Sequence, residues 1–294
     1  MTLTSKAPSN PDSDAVTYLE TNYDDVDGTA KLLDKNEVEV VISAIIAFCP
    51  GHEAQLKLIT ASEASSTVKR FIPSEYASVA VEECVTRFGQ YCDQSATDIV
   101  CSRTADDIGK LAIFTANQLK QTQLKYTRVA NGVFMDYCAQ PHIASHLRPF
   151  KWGIDVATRR AVIPGTGEDI ISMTYSKDVA RFVVRLLDEA VWSEYSIISG
   201  SDTTLKGIIA IAEKVTGDTF SVKYDTEEDL KAGKATLVSS TDASYADTDP
   251  VAMAVAIGTS AVQGALALPK EGRLAFEDLH PMTIEQMITN AWSK

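Results

Sequence analysis

The sequence predicts an α/β fold with a doubly wound parallel sheet, followed by a smaller α+β region. Strand-like runs alternate with helix-like segments through the first half, the order typical of parallel strands joined by covering helices. The run at residues 38–43 is β-branched, as in strands that are buried in such a sheet. A length of 294 residues with 45% hydrophobic residues suits one large domain, or one domain with a small cap.

Each element rests on a local pattern. We predict strands over 16–20, 38–43, 68–73, 124–129, 160–164, 196–199 and 220–224. We predict helices ending at 33 and spanning 53–64, 105–121 and 176–190, a helix through 215 that Thr203 or Thr204 can cap, and a closing helix after 281 with Thr283 near its start. Carboxylates at 24–27 can cap the first helix, and Gly217 stands just past the end of another. Residues 234–250, rich in Ser, Thr, Asp and Ala, are interpreted as a surface loop.

Composition excludes several classes of function. A net charge of −13 opposes a nucleic-acid partner, since phosphate binding needs clustered cations. No stretch is apolar enough to cross a membrane, and residues 1–9 do not resemble a secretory signal, so we expect a cytoplasmic protein. Five cysteines without a CxxC pair indicate free thiols, although three lie within 84–101 and leave a local redox or metal role as the alternative. His142 and His146 lack the HExxH pattern, so no metal site is predicted.

The start of the chain differs from the usual order of a dinucleotide-binding sheet. Such a sheet opens with a strand, a glycine-rich GxGxxG or GxxGxxG turn and a helix, whose N–H groups hold the pyrophosphate. Here Gly28 is the first glycine and no such turn follows a strand; residues 1–5 look like the second strand. We therefore expect a Rossmann-like sheet with its first strand missing. A start site set too late in the gene explains this more simply than a refolded sheet, which is the alternative.

Three stretches resemble a known family. They are Val68-Lys-Arg-Phe-Ile-Pro-Ser-Glu-Tyr76, Leu124-Lys-Tyr-Thr-Arg-Val-Ala-Asn-Gly-Val-Phe-Met-Asp-Tyr137 and Thr174-Tyr-Ser-Lys-Asp-Val-Ala-Arg-Phe182. Together they resemble the NmrA-like and isoflavone reductase-like branch of the atypical short-chain dehydrogenases, its fungal members most closely. The likeness covers nearly the whole chain, and the Phe-Ile-Pro-Ser-Glu stretch is its most specific part.

The resemblance implies an NAD(P)-binding Rossmann-like domain over 1–150, incomplete at its N-terminus. It implies a mainly substrate-binding region over 151–294, some segments of which return to the sheet. The implied cofactor is NADP or NAD, and the absence of the glycine loop weakens this expectation. Lys6, where the second strand ends, would favour the 2′-phosphate of NADP; the alternative is an ordinary solvated lysine.

The resemblance also implies a catalytic lysine on the helix before strand 124–129, acting as general acid or base or orienting the substrate. Lys110 is the candidate, because a desolvated lysine near a cofactor can exchange protons near neutral pH. Counting back from Leu124 without a gap puts the position on Ala112 instead. Lys110 can therefore serve only if this helix carries a local insertion, and an exposed helix lysine is the alternative.

Further cofactor contacts are implied in the loops that follow the predicted strands. They are Ala44, Ile45, Ile46, Ala47, Phe48, Pro73, Ser74, Glu75, Asn131, Gly132 and Phe134. Alternatives are a plain turn for Pro73, a capping or surface carboxylate for Glu75 and a core position for Phe134. Asp136 and Tyr137 are expected to cap and pack.

Two functions follow from these observations. The first is an NAD(P)H-dependent oxidoreductase acting on an aromatic or polyketide-like small molecule, in fungal secondary metabolite biosynthesis. The second, motivated by the missing loop and the displaced lysine, is a cofactor-independent isomerase or cyclase, or a non-catalytic dinucleotide-sensing regulatory protein. Both expect a small-molecule ligand, and neither a nucleic acid nor a membrane.

Overall fold

The computed structural model describes residues 1–6, 16–45, 51–80, 105–239 and 249–293. The helices are α1 (Val26–Lys35), α2 (Gly51–Ala64), α3 (Ala105–Lys120), α4 (Ser176–Leu186), α5 (Leu205–Thr216), α6 (Glu227–Lys231), α7 (Pro250–Val262) and α8 (Ile284–Trp292), with a 3-10 helix at Met135–Cys138. The strands are β1 (Thr2–Thr4), β2 (Tyr18–Glu20), β3 (Val40–Ile42), β4 (Arg70–Ile72), β5 (Lys125–Tyr126), β6 (Arg128–Ala130), β7 (Val133–Phe134), β8 (Ile154–Asp155), β9 (Arg160–Pro164), β10 (Ile171–Thr174), β11 (Tyr195–Ile197), β12 (Ser201–Thr203) and β13 (Ser221–Asp225).

A parallel layer is built from the strands of the first half and β11. Strand β4 lies between β3 and β5, and β6 pairs with β11; every one of these pairs is parallel. Only Thr127 separates β5 from β6, and its backbone N–H still donates to the carbonyl of Phe71, so the layer is continuous. This confirms the predicted doubly wound α/β fold.

Both faces of the parallel layer are covered by apolar side chains. On one face Val41 and Phe71 pack with Leu58 of α2 and Leu119 of α3. On the other face Ile72, Val129 and Ile198 pack with side chains of α4. Burial on both sides is what the β-branched strand runs predicted.

Strands β1 and β2 form a separate parallel pair, with Leu3 opposite Leu19. Leu3 packs against the same apolar cluster as Val41, so the pair borders the main layer. Within the described ranges, β1 and β2 share no hydrogen-bonded strand pairing with β3. The expectation of a missing first strand stays a prediction.

The second half contributes two further sheets. Strand β10 lies between β7, which is parallel, and β12, which is antiparallel; β9 lies between β8, which is antiparallel, and β13, which is parallel. Their apolar faces form one large core with α5 and α8, whose most buried members include Ile163, Ile208 and Met287. Helix α4 and strand β11 return to the first layer, and the boundary near residue 150 stays a prediction.

Helix ends follow the predicted capping chemistry. Asp25 caps α1, and Thr204 caps α5, which ends at Gly217 in the left-handed region. Thr283 opens α8 with a capping box. The helix predicted over 176–190 is shorter than expected and ends at Leu186. The carbonyl of Leu186 accepts a hydrogen bond from the Trp192 indole N–H over 2.9 Å at this end.

Helix α7 was not predicted, and its first residue, Pro250, is the last residue of the loop predicted over 234–250. Residues 240–248 of that predicted loop lie outside the described residues. Asp249 caps α7 and Pro250 occupies its first turn, a favourable start. Its sequence is apolar nearly throughout, so it lacks the one-sided pattern that identifies an amphipathic helix. No helix in the described part of the chain is long and apolar enough to cross a membrane.

Candidate functional site

The carboxyl ends of β3, β4 and β6 meet along one edge of the parallel layer. The backbone N–H of Ser43, directly after β3, donates to the carbonyl of Ile72 at the end of β4 over 2.8 Å. The backbone N–H of Asn131, directly after β6, donates to the carbonyl of Ala77 in the loop after β4 over 3.1 Å. The structure thus brings together three of the loops in which ligand contacts were predicted. We call this the strand-end edge.

Three buried polar atoms in the segments that follow β3, β4 and β6 find no hydrogen-bond partner among the residues that the structure describes. They are Oγ of Ser43, Oε1 of Glu75 and Oδ1 of Asn131. A buried polar atom left unpaired costs about 1–3 kcal/mol, and buried polar groups are normally satisfied. Their occurrence after three strand ends marks this edge as suited to a ligand that carries hydroxyl or amide donors.

The turn after β6 is fixed against β10. Gly132 has φ of +67°, and a Cβ at this position would overlap the carbonyl oxygen of Ser172. The Thr174 hydroxyl donates to the carbonyl of Asn131 over 2.8 Å, and the Asn131 side-chain amide donates to the carbonyl of Gly132 over 3.1 Å. Asn131 is therefore held rigidly, with its unpaired Oδ1 at the edge.

The loop after β4 is anchored to the neighbouring helix. Pro73 and Ser74 are both buried, and the backbone N–H of Ser74 donates to Oε1 of the buried Gln55 on α2 over 2.7 Å. These contacts fix the course of the loop before it reaches Glu75.

Glu75 forms a buried ion pair that the sequence did not predict. Its Oε2 accepts from Nε of Arg128 over 2.7 Å, and the two side chains are 9% and 3% exposed. Burial raises the pKa of Glu75 to about 7, although the Arg128 guanidinium acts in the opposite direction. The structure therefore differs from both interpretations of Glu75, since this carboxyl has a charged partner and is no surface group.

Arg128 holds the loop after β4 through a second set of contacts. Its guanidinium stacks 4.4 Å from the ring centroid of Tyr195, and Glu194 lies 3.8 Å from Nη1. The Tyr195 hydroxyl donates to the carbonyl of Ala80 over 2.6 Å, and burial raises the pKa of Tyr195 to about 12. The loop is thus clamped against β6 and β11.

Phe134 lies in β7, directly beyond the turn at Gly132. It is half-buried, packs against the apolar cluster of α4 and stands edge-to-face with Tyr137 at a centroid distance of 6.3 Å. These are the contacts of a core residue at the border of the strand-end edge. Asp136 caps α4, as expected, by accepting from the Ser176 backbone N–H over 2.9 Å.

The remaining predicted residues are more scattered. Ala44 is exposed and Ile45 is half-buried after β3, whereas Ile46, Ala47 and Phe48 lie outside the described residues. Lys6 is exposed after β1, where its carbonyl accepts from the Thr4 hydroxyl over 3.0 Å. Lys110 is half-buried on α3, and α3 packs against α7.

A cavity of about 230 Å³ lies in the second half, between β9, β13, α6 and α7. Its apolar lining includes Phe150, Trp152, Val162, Leu230, Leu237, Val238 and Met253. Its polar lining includes Lys151, Asp225 and Thr236. Asp225 accepts from both the backbone N–H and the hydroxyl of Thr236 over 2.8 Å, which fixes that wall.

Lys151 brings a cation to this mostly apolar cavity. Its Nζ lies 3.7 Å from Oδ1 of Asp155, and the two side chains are 17% and 6% exposed. The same ammonium influences Cys138, whose thiol is fully buried; burial raises its pKa to about 12 and Lys151 acts against that rise. Cys138 is a free thiol, as expected, and Cys49, Cys84, Cys92 and Cys101 lie outside the described residues.

Sequence reasoning missed Arg128, Lys151 and Asp155. Arg128 could have been found, because a cation inside a buried strand run needs a partner. The Lys151 site gave no local signal, since its cavity combines segments that are distant in sequence. No group of three or more His, Cys, Asp or Glu side chains suited to a metal ion occurs in the described ranges.

Two curated fungal proteins are similar in sequence, whereas no family model matches. Oxidoreductase BOA1 of Botryotinia fuckeliana is 32% identical over 204 residues, which cover 69% of this chain and 62% of that protein. Oxidoreductase swnN of Metarhizium robertsii is 28% identical over 241 residues, which cover 77% of this chain and 68% of that protein. The chain thus spans less than two thirds of the length of the Botryotinia relative.

Solved plant reductases share the fold. The NADPH complex of leucoanthocyanidin reductase from Vitis vinifera aligns with a TM-score of 0.64 at 17% identity, covering 92% of this chain and 80% of that one. An isoflavone reductase aligns with a TM-score of 0.63 at 19% identity, covering 98% and 88%. This likeness supports the observed fold, a Rossmann-like layer followed by a smaller region, over nearly the whole chain.

Proposed function

Because the chain belongs to the NmrA-like and isoflavone reductase-like branch of the atypical short-chain dehydrogenases, we propose that it is an NAD(P)H-dependent oxidoreductase. Its substrate would be an aromatic or polyketide-like small molecule. We further propose a cytoplasmic role in fungal secondary metabolite biosynthesis, in keeping with the fungal origin of the two relatives.

The observation that carries this proposal is the set of unpaired polar atoms at the strand-end edge. Ribose hydroxyls and a nicotinamide carboxamide are hydrogen-bond donors, and Oδ1 of Asn131 and Oε1 of Glu75 are acceptors without a partner in the described part of the chain. The Ser43 hydroxyl can donate or accept. These residues fit the ribose and nicotinamide parts of the cofactor, at the edge where parallel sheets bind ligands.

We assign the parts of the cofactor accordingly. Ser43, Ala44 and Ile45 would border the adenosine side; Pro73, Ser74, Glu75, Asn131, Gly132 and Phe134 would border the nicotinamide side. Lys6, exposed after β1, would face the 2′-phosphate and favour NADP over NAD. When bound, the reduced cofactor supplies a hydride to a conjugated double bond of the substrate. Lys110 would supply the proton that completes the reduction.

Titration calorimetry of the 294-residue chain with NADPH and with NADH tests cofactor binding directly. We expect NADPH to bind more tightly than NADH. Lys6→Ala should weaken NADPH binding and leave NADH binding and the melting temperature unchanged, because this side chain is exposed. An absence of binding at millimolar NADPH would overturn the proposal for this chain.

Catalysis is tested separately from binding. With an aromatic enone such as chalcone as substrate, Lys110→Met should lower NADPH oxidation by about 10²–10⁴-fold and leave NADPH affinity unchanged. Equal turnover by the wild-type and Lys110→Met proteins would exclude Lys110 as the proton-transfer group. Tight NADPH binding without turnover of any enone would favour the regulatory alternative.

A further inference from the structure

We propose that Arg128 is a positioning residue for the cofactor: through Glu75 it fixes the loop after β4, residues 73–80, and thereby the nicotinamide half of a bound dinucleotide. The proposal deepens the proposed function and rests on it. Three observations carry it: two contacts between Arg128 and the loop, the attachment of the loop to the turn after β6, and the buried charge of Glu75.

Arg128 contacts the loop at two separate points. Its Nε donates to Oε2 of Glu75 over 2.7 Å, and its Nη1 donates to the carbonyl of Ala80 over 3.4 Å. The Arg128 side chain is only 3% exposed, so water hardly competes for these contacts. A guanidinium presents its donors in a rigid planar fork, which suits a residue that holds two parts of one loop.

Tyr195 of β11 supports Arg128 and fixes the far end of the same loop. Its ring centroid lies 4.4 Å from the Arg128 guanidinium, a favourable position for a cation. Its hydroxyl donates to the carbonyl of Ala80 over 2.6 Å and accepts from the Ala80 backbone N–H over 3.1 Å. Arg128 and Tyr195 thus both hold Ala80, whereas Arg128 also holds Glu75.

The part of the loop between these two points contacts the turn after β6. The carbonyl of Ala77 accepts from the backbone N–H groups of Asn131 and Gly132, both over 3.1 Å. These two residues belong to the proposed nicotinamide side, as does the start of the loop. A displacement of the loop would therefore disturb the nicotinamide side at two places in the chain.

The proposed adenosine side is attached to a different part of the chain. The backbone N–H of Ser43 donates to the carbonyl of Ile72, the last residue of β4, over 2.8 Å. Strand β4 is held between β3 and β5, independently of Arg128. Loss of the Arg128 contacts should therefore displace the loop and leave the segment after β3 in place. This unequal effect on the two halves of the cofactor distinguishes positioning from a general loss of folding.

The charge of Glu75 decides how firmly Arg128 holds the loop. A hydrogen bond between a guanidinium and an ionised carboxylate is roughly twice as strong as a neutral one. Burial raises the pKa of Glu75 to about 7, Arg128 acts against that rise, and Glu194 adds to it. The ionisable side chains that interact electrostatically with this carboxyl are Tyr126 of β5, Arg128 of β6, Glu194 directly before β11 and Tyr195 of β11. Protonation of Glu75 should therefore loosen the loop and weaken binding of the nicotinamide half.

Titration calorimetry with NADPH and with adenosine 2′,5′-bisphosphate, which carries only the adenosine half, tests the positioning. Arg128→Met should weaken NADPH binding by at least about tenfold and leave binding of the bisphosphate unchanged. Arg128→Lys keeps the charge but not the planar fork, so its NADPH affinity should fall between those of the wild-type protein and Arg128→Met. Arg159→Met, which removes an arginine paired with Asp218 in the second half, is the matched control and should change neither affinity.

The pH dependence tests the role of the Glu75 charge. The NADPH affinities of the wild-type protein and of Glu75→Gln are compared from about pH 5 to about pH 8, since their ratio removes the titration of the cofactor's phosphate, whose pKa lies near about 6. We expect the ratio of wild type to variant to rise with pH, with a midpoint near the Glu75 pKa of about 7. A constant ratio would show that this charge does not act on the cofactor and would overturn the proposal.

A variant that unfolds does not obscure the result. If Arg128→Met fails to fold because Glu75 is left unpaired, Arg128→Met/Glu75→Gln removes both charges and should show the same selective loss of NADPH binding. Equal weakening of both ligands, or unchanged NADPH binding in the folded variant, would overturn this inference and leave the proposed function standing. A wild-type protein that binds neither ligand would overturn the proposed function and this inference with it.

Discussion

Replacing Glu75 by Gln should flatten the pH dependence of stability in weakly acidic solution. Burial raises the pKa of Glu75 to about 7 from an ordinary value of 4.5, so the native state favours the protonated carboxyl. The stability contributed by this raised pKa is fully present below about 4.5 and is lost as the pH rises through about 7. The shift corresponds to a loss of roughly 3 kcal/mol, at 1.36 kcal/mol for each pKa unit.

Replacing Arg128 by Met should have the opposite effect on the same profile. The guanidinium lowers the pKa of Glu75, so its removal raises that pKa further and steepens the loss of stability toward neutral pH. Above neutrality the variant also leaves a buried carboxylate unpaired, which costs about 3–5 kcal/mol. That is a large share of the roughly 5–15 kcal/mol by which domains are stable.

Urea unfolding at about pH 5 and about pH 8 measures both effects. The difference between the two free energies removes contributions that do not depend on pH, and comparing this difference between the proteins removes the contributions of the other titratable groups. Glu75→Gln should show a smaller difference than the wild-type protein by about 2–3 kcal/mol, since part of the contribution is already lost at about pH 5, and Arg128→Met a larger one. The same difference in the wild-type protein and in Glu75→Gln would refute the raised pKa of Glu75.

Three further substitutions test the framework of the fold by thermal or urea unfolding. Gly132→Ala should destabilise the protein by more than about 2 kcal/mol, because the left-handed backbone and the overlap with the Ser172 carbonyl both oppose it. Gly217→Ala is the control: it shares the left-handed backbone, but no described atom lies within 4 Å of its added Cβ, so it should cost only about 1 kcal/mol. Asp136→Ala should cost about 1–3 kcal/mol, since it leaves donors at the start of α4 unpaired; an effect below half a kcal/mol would argue against its capping role. Thr204→Ala should cost about 1 kcal/mol through the lost cap of α5, and Thr204→Ser should restore most of it.

Local chemistry explains which parts of the fold could be predicted. The strands at 38–43 and 68–73 and helices α1, α5 and α8 carry signals within a few residues, such as β-branched runs, capping side chains and a terminal glycine. Helix α7 has no polar face to identify it. Strands β7, β8 and β12 are short and gain their pairing only from partners far along the chain. Tertiary contacts decide such elements.

In the candidate site, too, residues with a local sequence signal could be predicted, whereas those that depend on tertiary contacts could not. Asn131 and Ser43 could be predicted as edge residues because each follows a strand, and parallel strands end together. The pairing of Glu75 with Arg128 spans 53 residues and depends on how one loop crosses β6. The Lys151 cavity depends on four segments meeting in the second half. The only sequence signal for Arg128 was a cation inside a predicted buried strand.

The strand-end edge and the cavity beside α7 differ in chemistry, and a series of aromatic contacts runs from β7 to the wall of the cavity. The strand-end edge offers acceptors for a polar ligand, whereas the cavity offers an apolar space with one cation. A hydride transfer needs both ligands in contact, so the boundary between them must exclude water and hold its shape. The rings of Phe134, Tyr137 and Phe150 contact one another in series, and Phe134 is fixed at one end by β7 pairing with β10. Phe134 packs against α4 on one side, which fixes the position of its ring. A ring held in this way can border a ligand on its other side.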